Sequence, residues 1–306
     1  MKQIRLEVDD EFEGIRLDKY ITLNTESIIS RSFLQKLIKS DLVKVNFKPQ
    51  KASYLVKSDD VIEFEIPDPQ EYIINPENIP LDILYEDDDV IVVNKPKGMV
   101  VHPAAGHYTG TLVNGLLYHC KDSLSGINGV LRPGIVHRID KDTTGSVIAC
   151  KNDVSHNEIA AQLKEHTITR RYRAICHGTI KEDELTINAP IGRSDKDRKK
   201  MAINSLNGKS AITHVKVLER LNGYTYIECR LETGRTHQIR VHMASIGHPL
   251  LGDDVYSNIK SKYNTNGQCL HAYILGFVHP TTKQYIETCA PIPEYMTKLL
   301  SLLHKI

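Results

Sequence analysis

Between Ile135-Val136 and Val147-Ile148-Ala149 the chain sets Arg138, Asp140, Lys141 and Asp142 within "GIVHRIDKDTTGSVIACKN" (134–152). A reversal between two apolar strands needs only a two-residue turn, so this much charge asks for a purpose. In extended backbone Arg138 and Asp140 point the same way while Ile139 faces the opposite side. A cation and a carboxylate could then meet one ligand. The plainer account is an Asx turn, with Asp140 or Asp142 accepting from backbone amides two residues on. Taken alone, "DKDTTG" favours that account.

A second constellation changes the balance. "ETGRTHQIRVHMASIGHPLLGDDVYS" (232–257) delivers Arg235, His237, Gln238, Arg240 and His242 behind a glycine turn. Arginine suits buried pairing with a carboxylate because its planar fork stays charged in any environment. A lone catalytic aspartate needs such a partner. A salt-bridged surface helix, by contrast, does not explain the apolar, Gly- and Pro-punctuated "IGHPLLGD" that follows. His237, His242 and His248 match neither HExxH nor a Cys/His ligand spacing. There is no GxGxxG, Walker loop or GxSxG, and no carboxylate cluster of the kind a metal-dependent nuclease needs. No metal and no cofactor are expected.

These residues must be held by a scaffold. The 306 residues, 41% hydrophobic and 25% charged, are ordinary globular values, and they suffice for one large domain and a small one. Downstream of residue 80, strand-like runs dominate: "VIVVNKP", "GIVHRI", "SVIACKN", "RRYRAICHG", "AITHVKVLER" and "YTYIECRLET". Helical patterns fall between them at "DVSHNEIAAQLKEH" and "RTHQIRVHMASIG", and the end reads as an amphipathic helix through Met296, Leu299, Leu300 and Leu303. The mixture lacks a strict strand-helix alternation, so an α+β domain on a large, mainly antiparallel sheet is expected.

Residues 1–66 read as a small α+β module, with Leu17, Ile21, Phe33, Leu34, Leu37 and Ile38 at helical spacing and Ser32 with Gln35 as a capping box. Pro67, Pro69, Pro76 and Pro80 mark residues 67–80 as a linker. Net charge is only +1, yet from Arg16 to Lys48 seven basic residues face three acidic ones, and "GRSDKDRKK" (192–200) is a second basic run. Either could be a plain solvated face. Six widely spaced cysteines without CxxC read as reduced packing residues. With no run of eighteen apolar residues and no signal-like start, a cytoplasmic protein without membrane contact is expected.

"HRIDKDTTG", with "NKPKGMVVHP", "RRYRAICHG" and "GRTHQIRVHMASIGHPLLGDDVY", closely resembles the RluA-type pseudouridine synthases, and among them the RluD-like ribosomal RNA enzymes. "RLDKYI", "SRSFLQKLIKSDLVKVN" and "DDVIEFEIP" resemble the S-four-like RNA-binding module that commonly precedes that catalytic domain. The resemblance implies a pseudouridine synthase domain over 81–306, acting on RNA as a monomer and needing no cofactor. It places the catalytic aspartate on Asp140, its basic partner on Arg240, the active-site tyrosine on Tyr172, and on Arg138 the residue that helps hold the target base out of the stack. His137, Arg235, His237 and Gln238 are then candidates for substrate binding, and Arg16, Arg31, Lys36 and Lys39 for RNA binding. A non-catalytic RNA-binding or ribosome-assembly factor on the same fold is the alternative. Three departures stand out: Ile139 for the usual Leu, Ser146 for an apolar residue, and Asn46-Phe47 for an Asn-Gly turn. Because Phe disfavours positive φ, a turn of another type is expected there.

Overall fold

In the computed structural model, residues 2–25, 31–66, 74–104, 106–121, 123–127, 129, 132–195, 197 and 200–304 are described. They divide into Met1–Tyr72 and Ile73–Ile306.

In the first unit, β1 (Lys2–Glu7) precedes helices α1 (Leu17–Asn24) and α2 (Arg31–Lys39), followed by β2 (Val43–Val45), β3 (Lys48–Pro49) and β4 (Val61–Ile66). The strands form one sheet in the order β1-β4-β2-β3. Leu17 and Ile21 of α1 and Leu34, Leu37 and Ile38 of α2 bury the expected apolar stripes against Val43, Val45, Ile62 and Phe64. The expected capping box falls on Ser32, whose side chain lies outside the described residues; α2 as described runs from Arg31. Gln35 donates from Nε2 to Asp18 Oδ2 (3.0 Å).

The Asn46-Phe47 turn also departs from expectation. Both residues have positive φ, 48° and 67°, as a two-residue hairpin joining Val45 to Lys48 requires. Asn46 fixes the turn from outside: its Nδ2 donates to Asp60 Oδ1 (2.8 Å) and its Oδ1 accepts from Val61 N–H (2.9 Å). Phe47 takes the strained conformation with its ring in solvent.

In the second unit, β5 (Ile83–Glu86) and β6 (Val90–Lys95) lead to α3 (Leu112–Cys120), β7 (Thr144–Cys150), α4 (Asp153–Lys164) and β8 (Thr169–His177). Then come β9 (Glu184–Asn188), the small hairpin β10 (Ile191–Arg193) and β11 (Met201–Ile203), β12 (Ile212–Leu221) and β13 (Tyr224–Leu231). Helix α5 (Gln238–Ser245), β14 (Leu270–Val278), β15 (Tyr285–Cys289) and α6 (Glu294–His304) complete it. Nine strands make one α+β sheet in the order β5-β6-β7-β14-β8-β13-β12-β9, with β15 also on β14. Only the β7–β14 pair is parallel. Alternate residues of β6 and β7 face opposite layers: Ile91, Val93, Val147 and Ala149 pack with α3, and Val90, Val92, Ile148 and Cys150 pack with Ile159 of α4.

"GIVHRI" is not the strand expected. One edge of β7 is taken by β6 and the start of the other by β14, leaving Ile135 a single bridge to Ala149. Of the proline-rich segment, residues 67–73 lie outside the described residues. Residues 74–80 lie on the second unit: Ile74 is buried in its core and Glu77 N–H donates to Asn114 O (3.0 Å). The cysteines are free and five are buried, but Cys289 is exposed rather than packed. No helix among the described residues is long and apolar enough to cross a membrane.

The strained turn yields a test. Holding an L-residue in the left-handed region costs about 1–2 kcal/mol, and glycine is free of that strain at some cost in chain entropy. Phe47→Gly should therefore stabilise the first unit by about 1 kcal/mol, read from its urea midpoint in the full chain. A lower midpoint would show that the exposed ring contributes more than its backbone costs.

Candidate active site

Asp140 lies in the loop just before β7. Thr143 N–H donates to the Asp140 carbonyl (3.1 Å) and closes the loop as a turn. Lys95, the last residue of β6, fastens it from beneath, donating from Nζ to the carbonyls of Pro96 (2.9 Å), Met99 (2.8 Å) and Lys141 (3.0 Å). Its side chain is fully buried and all three of its protons are used. Burial pushes this amine down to about 7, against the pull of Asp142 and Asp140. Beyond the loop, Gly145 has a φ of 106°, and a Cβ there would stand 2.2 Å from the Ala272 carbonyl. Only glycine lets β14 lie this close to β7.

The charge in this loop does not serve the turn. Among the described residues, no backbone amide donates to the carboxylate of Asp140 or Asp142, so the Asx account fails. Asp142 packs against Gly267. Asp140 Oδ2 instead accepts from Arg240 Nη1 (3.0 Å) across 100 residues of sequence.

Arg240 is held on α5 by a second acid. Its Nε donates to Asp253 Oδ2 (2.7 Å) and its Nη2 to Asp253 Oδ1 (2.9 Å). Asp253 is fully buried, and Oδ1 also accepts from Val255 N–H (3.0 Å) and Tyr256 N–H (3.1 Å). Burial alone would lower the guanidinium pKa, but Asp253 and then Asp140 override it and raise it. The fork is thus bidentate to Asp253, with one remaining nitrogen aimed at Asp140.

His237 stands on the other side of the carboxylate, in left-handed backbone (φ 57°) at the start of α5. Its Nδ1 meets the Tyr256 hydroxyl (2.7 Å) and its Nε2 lies 3.6 Å from Asp140 Oδ1. Since Tyr256 oxygen accepts from Met201 N–H (3.0 Å), its own proton can go to Nδ1. The imidazole proton then sits on Nε2, facing the carboxylate, and the opposite tautomer would aim a lone pair at an anion. Burial lowers the His237 pKa, Asp140 opposes this, and the ring is neutral at neutral pH.

Tyr172 on β8 is buried, and with Ile139, Leu231 and Leu270 it walls a narrow slot that ends at Asp140. Burial raises the phenol pKa, with Arg170 opposing and Asp140 adding, so the hydroxyl keeps its proton at neutral pH. On the far side of Asp140 a cleft of about 450 Å³ is lined by His102, Arg138, Asp254 and Gln268. Exposed Arg138 borders both spaces.

Two expected substrate contacts are otherwise engaged. Gln238 is buried and saturated: Oε1 accepts from Thr233 Oγ1 (2.8 Å) and Arg235 N–H (2.9 Å), and Nε2 donates to Ile212 O and Thr213 Oγ1 (both 3.0 Å). It shapes the turn into α5. His137 Nε2 accepts from Ile148 N–H (3.1 Å), and burial pushes its pKa down to about 4, so it is a neutral prop for β7. His242, noted in the same run, is likewise spent on Thr213 Oγ1 and Ala189 O (both 2.9 Å). Arg235 donates from Nε to Ser210 O (2.9 Å) and keeps its other nitrogens beside the slot.

In the first unit, Lys36 and Lys39 are exposed one turn apart on α2. Arg16 is engaged by Asp18 through two bonds of 3.0 Å, which leaves it less able to meet a phosphate than its charge suggested. Arg31 opens α2, but its side chain lies outside the described residues, as do Lys196, Arg198 and Lys199 of the second basic run.

The sequence of residues 89–245 matches the family model described as RNA pseudouridylate synthase, and residues 15–62 match the S4 domain. The chain is 52% identical over its whole length to "Uncharacterized RNA pseudouridine synthase YlyB" of Bacillus subtilis, covering 99% of that protein. It is 46% identical to "Ribosomal large subunit pseudouridine synthase D" of Zymomonas mobilis, over 96% of this chain and 95% of that one. Among solved structures, "Human RNA Pseudouridylate Synthase Domain Containing 1" superposes with a TM-score of 0.56 at 25% identity, over 78% of this chain and 98% of that one.

Removing one member of a buried ion pair leaves its partner uncompensated and costs about 3–5 kcal/mol. Asp253→Ala should lose about that much stability in denaturant unfolding, whereas Asp254→Ala, exposed next door, should stay within about 0.5 kcal/mol of the parent. Equal losses at the two positions would remove Asp253 as the anchor of Arg240.

Proposed function

The chain belongs to the RNA pseudouridylate synthase family and isomerises uridine in RNA, and we propose that Asp140 carries the reaction and that its targets lie in large-subunit ribosomal RNA. The observation that supports the first part is the aimed carboxylate: Asp140 stands at the end of a slot walled by Tyr172, with one oxygen on Arg240 and the other facing His237. Relatives named ribosomal large subunit pseudouridine synthase D, 41–46% identical over 96–99% of this chain, support the second.

The chemistry breaks the N1 glycosidic bond of the uridine, turns the freed uracil, and joins C5 to C1′, with the C5 proton lost at the end. No redox step is needed. Reaching C1′ in folded RNA requires the base to leave its stack, at about a few kcal/mol. Arg138, exposed at the mouth of the slot, is placed to hold the RNA in that state. The uracil lies against Tyr172, and Asp140 acts at the ribose, by attack at C1′ or by removing the 2′ proton. Either route needs an oriented anion, which the Arg240 fork supplies. Tyr172 stacks on the uracil face and hydrogen-bonds it as the phenol that burial favours. The 1–66 module adds phosphate contacts through Lys36 and Lys39.

Two measurements test this. Asp140→Asn should lower single-turnover tritium release from C5-labelled uridine in ribosomal RNA by about a thousandfold or more, with RNA affinity nearly kept, while Asp142→Asn stays within about threefold. Substantial release by Asp140→Asn would move the catalytic carboxylate elsewhere. Pseudouridine mapping in cells with and without the protein names the target, and an unchanged large-subunit map would refute the ribosomal assignment.

Lys36→Ala with Lys39→Ala should weaken RNA binding and reduce the slope of log affinity on log salt by about 1–2. An unchanged slope would show that this helix face does not touch phosphate.

A further inference from the structure

Two arginines are buried among the described residues, Arg240 and Arg170. Arg240 has two carboxylates. Arg170, 7% exposed, has none: Nη2 donates to the Glu232 carbonyl (3.0 Å), while Nε is buried without any hydrogen-bond partner. Buried charges are normally paired, and an arginine cannot escape the cost by losing its proton.

What surrounds Arg170 sharpens the anomaly. It borders a cleft of about 520 Å³ whose lining includes Arg138, Lys164, His166 and Arg235 and no carboxylate. Like charges therefore face one another, with no carboxylate among the described residues that line the cleft. The backbone is shaped for this: a Cβ on Gly234 would stand 2.6 Å from Arg170 Nη1, so the glycine of "TGRTHQ" makes room for the guanidinium. Arg170 and Tyr172 lie two residues apart on β8 and point to the same side. Tyr172, Arg138 and Arg235 border both this cleft and the slot that ends at Asp140.

We propose that this cleft takes a phosphodiester of the substrate RNA, the one adjoining the nucleotide whose base lies against Tyr172. Arg170 supplies a preplaced, desolvated fork at the back, and Lys164, exposed at the end of α4, closes the charge from the rim. A phosphate is the anion whose charge this guanidinium and the other cations of the cleft together match. The inference rests on the functional reading above and assigns Lys164 and Arg170 to substrate binding. It also explains a cost: the unpaired charge weakens the free protein and is compensated when RNA arrives.

The test uses a synthetic RNA carrying the mapped uridine, with the phosphate on its 5′ or 3′ side replaced in turn by a neutral methylphosphonate. Lys164→Ala should bind the unmodified RNA about three- to tenfold more weakly, with a salt slope smaller by about 0.7–1, and lose more in affinity than in saturated rate. One of the two methylphosphonates should cost the parent protein a similar factor and cost Lys164→Ala little more. Arg170→Met should lose affinity while keeping or raising Tm, since it removes an unpaired buried charge. The site is overturned if both methylphosphonates cost the two proteins equally. It is also overturned if Lys298→Ala, an exposed lysine paired with Glu294 on α6, weakens binding as much as Lys164→Ala. Arg170→Met losing stability while holding RNA as before would make Arg170 structural. If the parent fails to convert the uridine in the unmodified RNA, the functional reading itself falls; if it converts it and the phosphates are indifferent, only this inference does.

Discussion

Arg240 between two carboxylates is the constraint on which the rest of the second unit depends. A single guanidinium offers its bidentate edge to Asp253 and one remaining nitrogen to Asp140, so the direction of the last bond is set by the first two. Removing Asp253 would leave the fork free to turn, and Asp140 would then choose its partner's geometry instead of receiving it. The loop after α5 that carries Asp253 also carries Tyr256, whose hydroxyl reaches His237 on the other side of the same carboxylate. One short stretch of chain thus orients both groups that face Asp140.

The sheet meets this demand from below. Asp140 lies outside the strands, because β6 and β14 take the edges of β7, yet a loose loop would lose the aim of its carboxylate. Lys95 resolves the conflict by drawing three carbonyls, one of them from Lys141, onto a single buried ammonium. Gly145 resolves it at the other end by letting β14 close on β7 where any side chain would collide with the Ala272 carbonyl. The loop is therefore clamped on both flanks, and only its side chains face the cleft. Ser146, buried next to that clamp with an unpartnered hydroxyl, shows that the position tolerates a polar atom where an apolar one would pack more cheaply.

How much of this could be read from sequence divides along physical lines. Apolar patterning located α4, α5 and α6 and the strands β6, β7, β8, β12 and β13: burial on one face leaves alternation in β12, and burial on both faces leaves the unbroken apolar runs of β6 and β7. It failed at "GIVHRI", where the apolar residues are real but no free sheet edge remains, a fact that lives in the pairing of β7 rather than in residues 134–139. That an arginine of the 235–240 run would pair with an aspartate was legible because a carboxylate in an apolar setting needs a cation; that the pair is Asp140 and Arg240 came from the family resemblance. The same reasoning carried one step further would have asked what balances a buried arginine with two free edges, and the acids of "LLGDDVY" were the place to look. Gln238 suggested a ligand contact because it is an amide in a donor-rich run, whereas its four hydrogen bonds are spent on the turn and on β12. Phe47 misled in the opposite way: local propensity forbids its conformation, and the register of the hairpin imposes it.

The two buried arginines state the electrostatic logic of the site. Around Arg240 the protein supplies the counter-charge itself, and the reward is a carboxylate held at a fixed distance whether or not RNA is present. Around Arg170 it withholds the counter-charge, and the cleft stays open to an anion. A site complete in itself would gain nothing from RNA binding, while a site that lacked both partners could not aim its carboxylate. The chemical half is preorganised at the protein's own cost. Under the proposed reading, the recognition half is completed by the substrate, so that part of the binding energy comes from relieving a charge the fold leaves unpaired. This division also places specificity. If the groups around Asp140 act on any uridine that reaches the slot, as proposed, selection among uridines falls to the RNA shapes that can seat a base at Tyr172 and a phosphate at Arg170 together.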